Sequence, residues 1–166
     1  MLAIGIDPGT ASSGYGLVRQ AEDGSLESLA YGVIATEAGL PMAERLASLH
    51  RALSEFLALH RPDCAAVEAL FFQKNVSTAI SVGQARGVAL LALAQAGVPV
   101  SEYSPRAVKL AIAGYGNAGK KQMQEMVRTL LGMPEIPRPD DAADALAVAI
   151  CHLHSSGLQR LLEDRE

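Results

Sequence analysis

At 166 residues, 49% of them hydrophobic, the chain is long enough for one ordinary domain with a sizeable core; two large domains and intrinsic disorder are excluded. A net charge of −4 argues against nucleic-acid binding through overall positive potential. The charge is segregated, however: residues 1–63 carry four basic and eight acidic side chains, residues 64–138 eight and four, and residues 139–166 two and six.

Alternating apolar residues predict strands over Leu2 to Ile6, Tyr15 to Arg19 and Leu26 to Ile34, with Glu22, Asp23 and Gly24 as a hairpin turn, so the chain opens as an antiparallel meander. From Pro41, apolar residues at Leu46, Leu49, Leu53, Phe56 and Leu57 recur at helical spacing and stop near His60, before Pro62. Cys64 to Val67 is a short strand ending at Glu68; reached through a helical crossover, it is expected to lie parallel to the first strand. A helix follows from Val76 to Ala96 whose apolar residues are too many for one stripe, so it is either deeply buried or, the favoured reading, partly covered by another subunit. Then come a strand over Val100 to Tyr103, helices over Pro105 to Ala113 and Lys120 to Leu131, and a last helix opening at Asp140. The class is α/β: a mixed five-stranded sheet, three strands in an antiparallel meander plus parallel strands, flanked by helices.

The longest uninterrupted apolar run, Gly87 to Ala94, is too short to span a bilayer, and no secretory signal is evident. Cys64 and Cys151 sit in apolar runs, as small buried thiols do in a reducing compartment. The expectation is a cytoplasmic protein with no membrane segment.

Four carboxylates stand out by position. Asp7 ends the first strand and Glu68 the fourth; as parallel neighbours they emerge at the same carboxyl edge, where open α/β sheets place their ligands. Asp141 and Asp144 open the last helix at i, i+3 spacing, on one face. Asp140 at i, i+4 serves equally well by spacing alone, and all three aspartates also suit the start of a helix, with Asp140 the natural cap. Converging carboxylates repel unless cations lie between them, and all-oxygen ligation favours Mg²⁺ or Mn²⁺. Two such ions about 4 Å apart suit phosphodiester hydrolysis. Within the basic block, Arg106, Lys109, Lys120, Lys121 and Arg128 are offset by Glu125 alone, the concentration expected of a phosphate-facing surface. Three other patterns carry less. Gly114 to Lys121 has the spacing of a phosphate-binding loop but Lys121 where Ser or Thr would stand. Asp7, Gly9 and Thr10 match the first phosphate loop of actin-type ATPases in a chain far too short for one. Cys151, His152 and His154 point in different directions around a helix, and His50 and His60 read as surface helix residues.

The runs Gly5 to Gly9, Ser13 to Gly16, Glu68 to Asn75, Gly83 to Val88 and Asp141 to Leu146 together resemble the RuvC family of bacterial Holliday-junction resolvases, over about residues 1–154. The resemblance implies a ribonuclease H-like fold in a single nuclease domain over 1–154, followed by a short tail over 155–166. It implies a homodimer making paired symmetric nicks in strands of like polarity across a four-way DNA junction, leaving 5′-phosphate and 3′-hydroxyl ends, in recombination and repair. The positions matching the family's catalytic, metal-binding carboxylates are Asp7, Glu68, Asp141 and Asp144, with two Mg²⁺ per subunit and Mn²⁺ as substitute; Asp140 has no implied role. Lys109 and Lys120 match phosphate-contacting positions, and Arg106 and Lys121 join them by charge. Phe71 matches an aromatic that acts at the junction core; with Phe72 and Lys74 it forms an expected DNA-contacting segment. RuvA and RuvB are the partners the resemblance implies. The competing readings are a ribonuclease H-like nuclease acting on another nucleic acid, and a non-catalytic junction-binding module.

Overall fold

The computed structural model describes the backbone of residues 1–69 and 76–163, and side chains over 1–69 and 77–157. Five strands, β1 (Leu2–Asp7), β2 (Ser12–Gln20), β3 (Leu26–Ala35), β4 (Cys64–Glu68) and β5 (Val100–Tyr103), form one sheet in the order β3-β2-β1-β4-β5. β1 runs antiparallel to β2 and parallel to β4, β2 antiparallel to β3, and β4 parallel to β5. The helices are α1 (Met42–His60), α2 (Val76–Gln95), α3 (Pro105–Ala113), α4 (Lys120–Leu130) and α5 (Asp140–Glu163). The mixed, helix-flanked sheet read from the sequence is the observed one.

Strand alternation sorts the core into two layers. Ile4, Ile6, Leu17, Ala65 and Val67 face one side and pack against Leu53 and Leu57 of α1 and Ala89, Ala92 and Leu93 of α2. Ala3, Val18 and Ala66 face the other, under α5, where Val108 and Ile112 of α3 and Met123 and Val127 of α4 complete the cluster. Asp7 and Glu68 have the parity of this second layer, so both strands end beneath α5.

Boundaries differ from the sequence reading mainly at β2, which begins at Ser12 rather than Tyr15. Ser12 to Gly14 have poor strand propensity, but pairing with β1 as far as the Asp7 and Gly14 partners holds them extended. Ser13, 4% exposed, accepts a bond from the Gly9 N–H at 3.1 Å and donates to the Gly9 carbonyl at 2.6 Å, fixing the turn that carries Asp7. α5 continues past residue 154 to Glu163, so the expected tail starts as helix. Cys151 is buried, with its thiol pushed up to about 11 by that burial, whereas Cys64 is only partly buried; both are free.

α2 carries the apolar excess read from the sequence. By length and composition, Ser77–Gln95 is apolar enough to cross a membrane, because small apolar residues outweigh its scattered polar ones. In the fold, Ala85, Ala89, Ala92 and Leu93 are buried in the core while Ile80 and Leu91 stay exposed.

Candidate active site

The site is built where β1, β4 and the start of α5 meet. The parallel register pairs Ile6 with Val67, so the next residues, Asp7 and Glu68, end adjacent strands side by side. α5 reaches them because glycine removes the side chains that would hold it away. A Cβ on Gly5 would stand 2.0 Å from the Ala145 carbonyl oxygen, and one on Gly14 would stand 2.0 Å from the Asp141 carbonyl oxygen. The helix backbone therefore rests on the strand backbone, and Gly14 is the cross-strand partner of Asp7. Asp141 is thus brought over the end of β1, with Asp144 one turn further on.

Electrostatics tie the group together. Burial, then the neighbouring charges of Glu68, Asp144 and Asp141, push Asp7 from its ordinary value near 3.8 up to about 8. Glu68 is raised by burial and by Asp144, with opposing contributions from its hydrogen bond to Asp7 and from Lys109. Asp144 is raised by burial, with Lys120 and Lys109 pulling the other way and Asp141 and Asp140 adding to the rise. The hydrogen bond between Asp7 and Glu68 adds to the rise at Asp7 and opposes it at Glu68. Among the described residues no group of three or more His, Cys, Asp or Glu side chains is arranged to hold a metal ion; what the strands and α5 build is an acidic floor at the carboxyl edge of the sheet.

A basic rim stands beside that floor. A cavity of about 230 Å³ is bounded by Glu68 and Asp144 together with Lys109 of α3 and Lys120 of α4. Of the other cations expected at a phosphate surface, Arg106 and Lys121 are exposed on the first turns of α3 and α4. Arg128 is occupied at the far end of α4, on Glu125 at 3.0 Å and on the Met133 carbonyl at 3.4 Å. Phe71, Phe72 and Lys74 lie outside the described residues.

Asp140 is not the cap of α5. The Ala142 and Ala143 N–H groups bond instead to the Pro139 carbonyl, at 3.1 and 3.2 Å. The Asp140 carboxylate turns toward α4, accepting from Lys120 Nζ at 2.9 Å and from Gln124 Nε2 at 2.8 Å, with Arg138 at 3.7 Å; Lys120 and Gln124 hold its carboxyl below the usual range. Gln124, 8% exposed, has no counterpart in the sequence reading. Its i, i+4 spacing from Lys120 places both on one face of α4, but a partner 16 residues away leaves no local trace.

The remaining motifs have local roles. Gly114, at φ 82°, ends α3, and Gly119 precedes α4, so the loop-like glycines join two helices. His152 is buried against Tyr103, with Nδ1 3.0 Å from the hydroxyl, while His154 is exposed. His50 meets Gln95 at 2.8 Å, and His60 stacks on Phe56. Arg86, in the Gly83 to Val88 run, is ion-paired with Glu102.

Comparison with known proteins gives a consistent picture. The family model for "Crossover junction endodeoxyribonuclease RuvC" matches residues 3–152. A relative of that name from Chloroflexus aurantiacus is 61% identical over 156 residues, 94% of each chain. Among solved structures, the Thermus thermophilus RuvC structure superposes with a TM-score of 0.89 at 40% identity, covering 96% of this chain and 97% of that one. T. thermophilus RuvC in complex with Holliday junction substrate superposes at 0.87 and 37% identity, covering 95% and 96%. The sheet and helices described above are thus those of the ribonuclease H-like fold of these nucleases.

Proposed function

The chain belongs to the RuvC family of crossover junction endodeoxyribonucleases, and from that premise we propose that it resolves four-way DNA junctions by paired symmetric nicks in strands of like polarity, leaving 5′-phosphate and 3′-hydroxyl ends. The observation that carries the reading is the acidic floor of Asp7, Glu68, Asp141 and Asp144, where burial and then the neighbouring carboxylates push Asp7 to about 8, beside the basic rim of Lys109 and Lys120. These four are the catalytic carboxylates, within a nuclease domain spanning residues 1–154.

The donor set fits divalent cations. It is all oxygen and crowded with like charge, the condition that a hard cation such as Mg²⁺ relieves. Asp7, Glu68, Asp141 and Asp144 would hold two Mg²⁺, with Mn²⁺ as a substitute. When bound, the metal supplies an activated water and charge stabilisation for an in-line displacement at phosphorus. The chain's own residues do the rest. Lys109 and Lys120 bind phosphates of the strand entering the cavity, with Arg106 and Lys121 extending the track on either side. Lys120 and Lys109 also favour the ionised forms of Asp144 and Glu68, so the acids are readier to ligate when the rim is in place. Phe71, Phe72 and Lys74 are assigned to the junction core, where an unstacked base offers a face to an aromatic ring.

Two symmetric nicks require two sites related by the junction's own symmetry, hence a two-fold dimer. The dimer reading is supported by α2. Ile80 and Leu91, 59% and 52% exposed, are eleven residues apart, about 20° from alignment on a helix, and Gln84 and Gly87 lie between them on the same exposed face. RuvA and RuvB are proposed as the machinery this dimer works with.

The test is cleavage of an end-labelled four-way junction and of a linear duplex of the same sequence, each with Mg²⁺ and with EDTA. Paired nicks on the junction alone, lost in EDTA, are expected. Cleavage of the duplex or of an RNA/DNA hybrid in preference would make it a nuclease for another substrate, and metal-independent binding without cutting would make it a binding module.

A further inference from the structure

The floor and the rim are connected by one side chain that the proposed reaction does not use. Asp140 opens α5 immediately before Asp141, and its carboxylate grips α4 with both oxygens, Oδ2 on Lys120 Nζ at 2.9 Å and Oδ1 on Gln124 Nε2 at 2.8 Å. The ion pair is exposed, at 57% and 42% for the two side chains, so its worth as a stabilising contact is small. Its worth as a geometric constraint is larger. α4 begins at Gly119 with no side-chain cap; besides the Asp140 contacts, its first turn accepts a side-chain bond at Gln122 from the Tyr115 hydroxyl. Lys120 is a long flexible side chain which, unheld, samples many rotamers and loses conformational freedom whenever it meets a phosphate. Gln124 is buried, and its amide donates to the same carboxylate.

We infer that Asp140 is a positioning residue for the junction-cleaving reaction: it clamps the first turn of α4 to the start of α5 and holds the Lys120 ammonium at the lip of the cavity, beside Asp144, where the phosphate of the strand to be cut arrives. Gln124 is the fixed arm of the clamp and Lys120 the working arm. This rests on the resolvase reading for the identity of the arriving phosphate, but the clamp itself does not.

Asp140→Asn separates the two arms. Its single carbonyl oxygen keeps the bond from Gln124, while the anionic partner of Lys120 is lost. On a four-way junction, kcat/KM is expected to fall about tenfold, with the Mg²⁺ concentration for half-maximal rate unchanged. In a Lys120→Met background the same substitution should have no further effect, because the residue acts through that lysine. An additional slowing in that background, or a shifted Mg²⁺ response, would overturn the assignment in favour of a metal-binding or purely structural role. The readout independent of cleavage is the Lys120 ammonium resonance in the DNA-free protein, assigned by its absence in Lys120→Met. It should be observable in the parent and broadened by exchange in Asp140→Asn; an unchanged signal would refute the clamp. If the parent protein cuts no junction while this signal behaves as expected, the resolvase reading fails and the clamp stands.

Discussion

At the scale of single residues, Asp7 carries the conflict between folding and chemistry. Its carboxyl is raised from 3.8 to about 8, so the folded state holds a proton that the unfolded chain releases. The resulting penalty on stability is absent below about pH 4, grows as the pH rises from 3.8 toward 8, and is complete above the folded value. Asp7→Asn is therefore expected to abolish junction cleavage while leaving junction binding intact. In EDTA at pH 8 it should unfold with more stability than the parent, an advantage that closes toward pH 4. Gel-shift, nicking and thermal-melt measurements across that pH range check all three. Asp7 stood out in the sequence because it ends an apolar strand at the carboxyl edge of the sheet, although Pro8 and Gly9 after it also suit the start of a plain turn. The role of Asp140 was not legible. Three aspartates at the start of a helix look alike by spacing, and what separates Asp140 from Asp141 is the direction each side chain takes, set by Lys120 and Gln124 on another element.

Secondary-structure elements set the distances. α5 lies on β1 and β2 through backbone atoms, with Gly5 and Gly14 each leaving no room for a methyl group. Gly14→Ala is expected to cost about 3 kcal/mol, since the obstructing atom is a carbonyl that cannot swing aside; it should also reduce cleavage by lifting Asp141 away from Asp7. Denaturant titration beside a nicking assay measures both. On the rim, Lys120→Ala should weaken junction binding and lower the slope of log affinity against log salt by about one, read from binding isotherms at several salt concentrations. Sequence periodicity located nearly every element, because two-residue and 3.6-residue spacings survive without tertiary context. It misplaced the start of β2, where Ser12 to Gly14 owe their extended form to a neighbouring strand and to a helix pressing on Gly14. The glycines were visible as a motif; their purpose as a seam appears only once α5 is laid over them.

For the whole molecule, an acidic protein binds a polyanion by segregating its charge: the acids sink into the floor and the cations stand on α3 and α4 at its edge. The net charge of −4 is therefore a poor guide to function, while the basic block of the middle third is a good one. The proposed dimer belongs to this scale as well. Leu91→Glu places a charge at the centre of the exposed face of α2 and is expected to yield a monomer that still binds DNA but nicks the two strands independently. Sedimentation velocity and the ratio of single to paired nicks on a cruciform plasmid report the two consequences.

The seam between α5 and the first two strands has a mechanical corollary. Side-chain packing tolerates small slides, because rotamers adjust; backbone resting on backbone does not. α5 can neither roll nor translate over β1 and β2 without separating from them altogether. α3 and α4, by contrast, meet α5 through Val108, Ile112, Met123 and Val127, contacts of ordinary compliance. The acids behave as an anvil to which the Asp140 contacts tie the first turn of α4, so adaptation to strands of different shape falls to α3 while the spacing of the carboxylates stays constant from one substrate to the next.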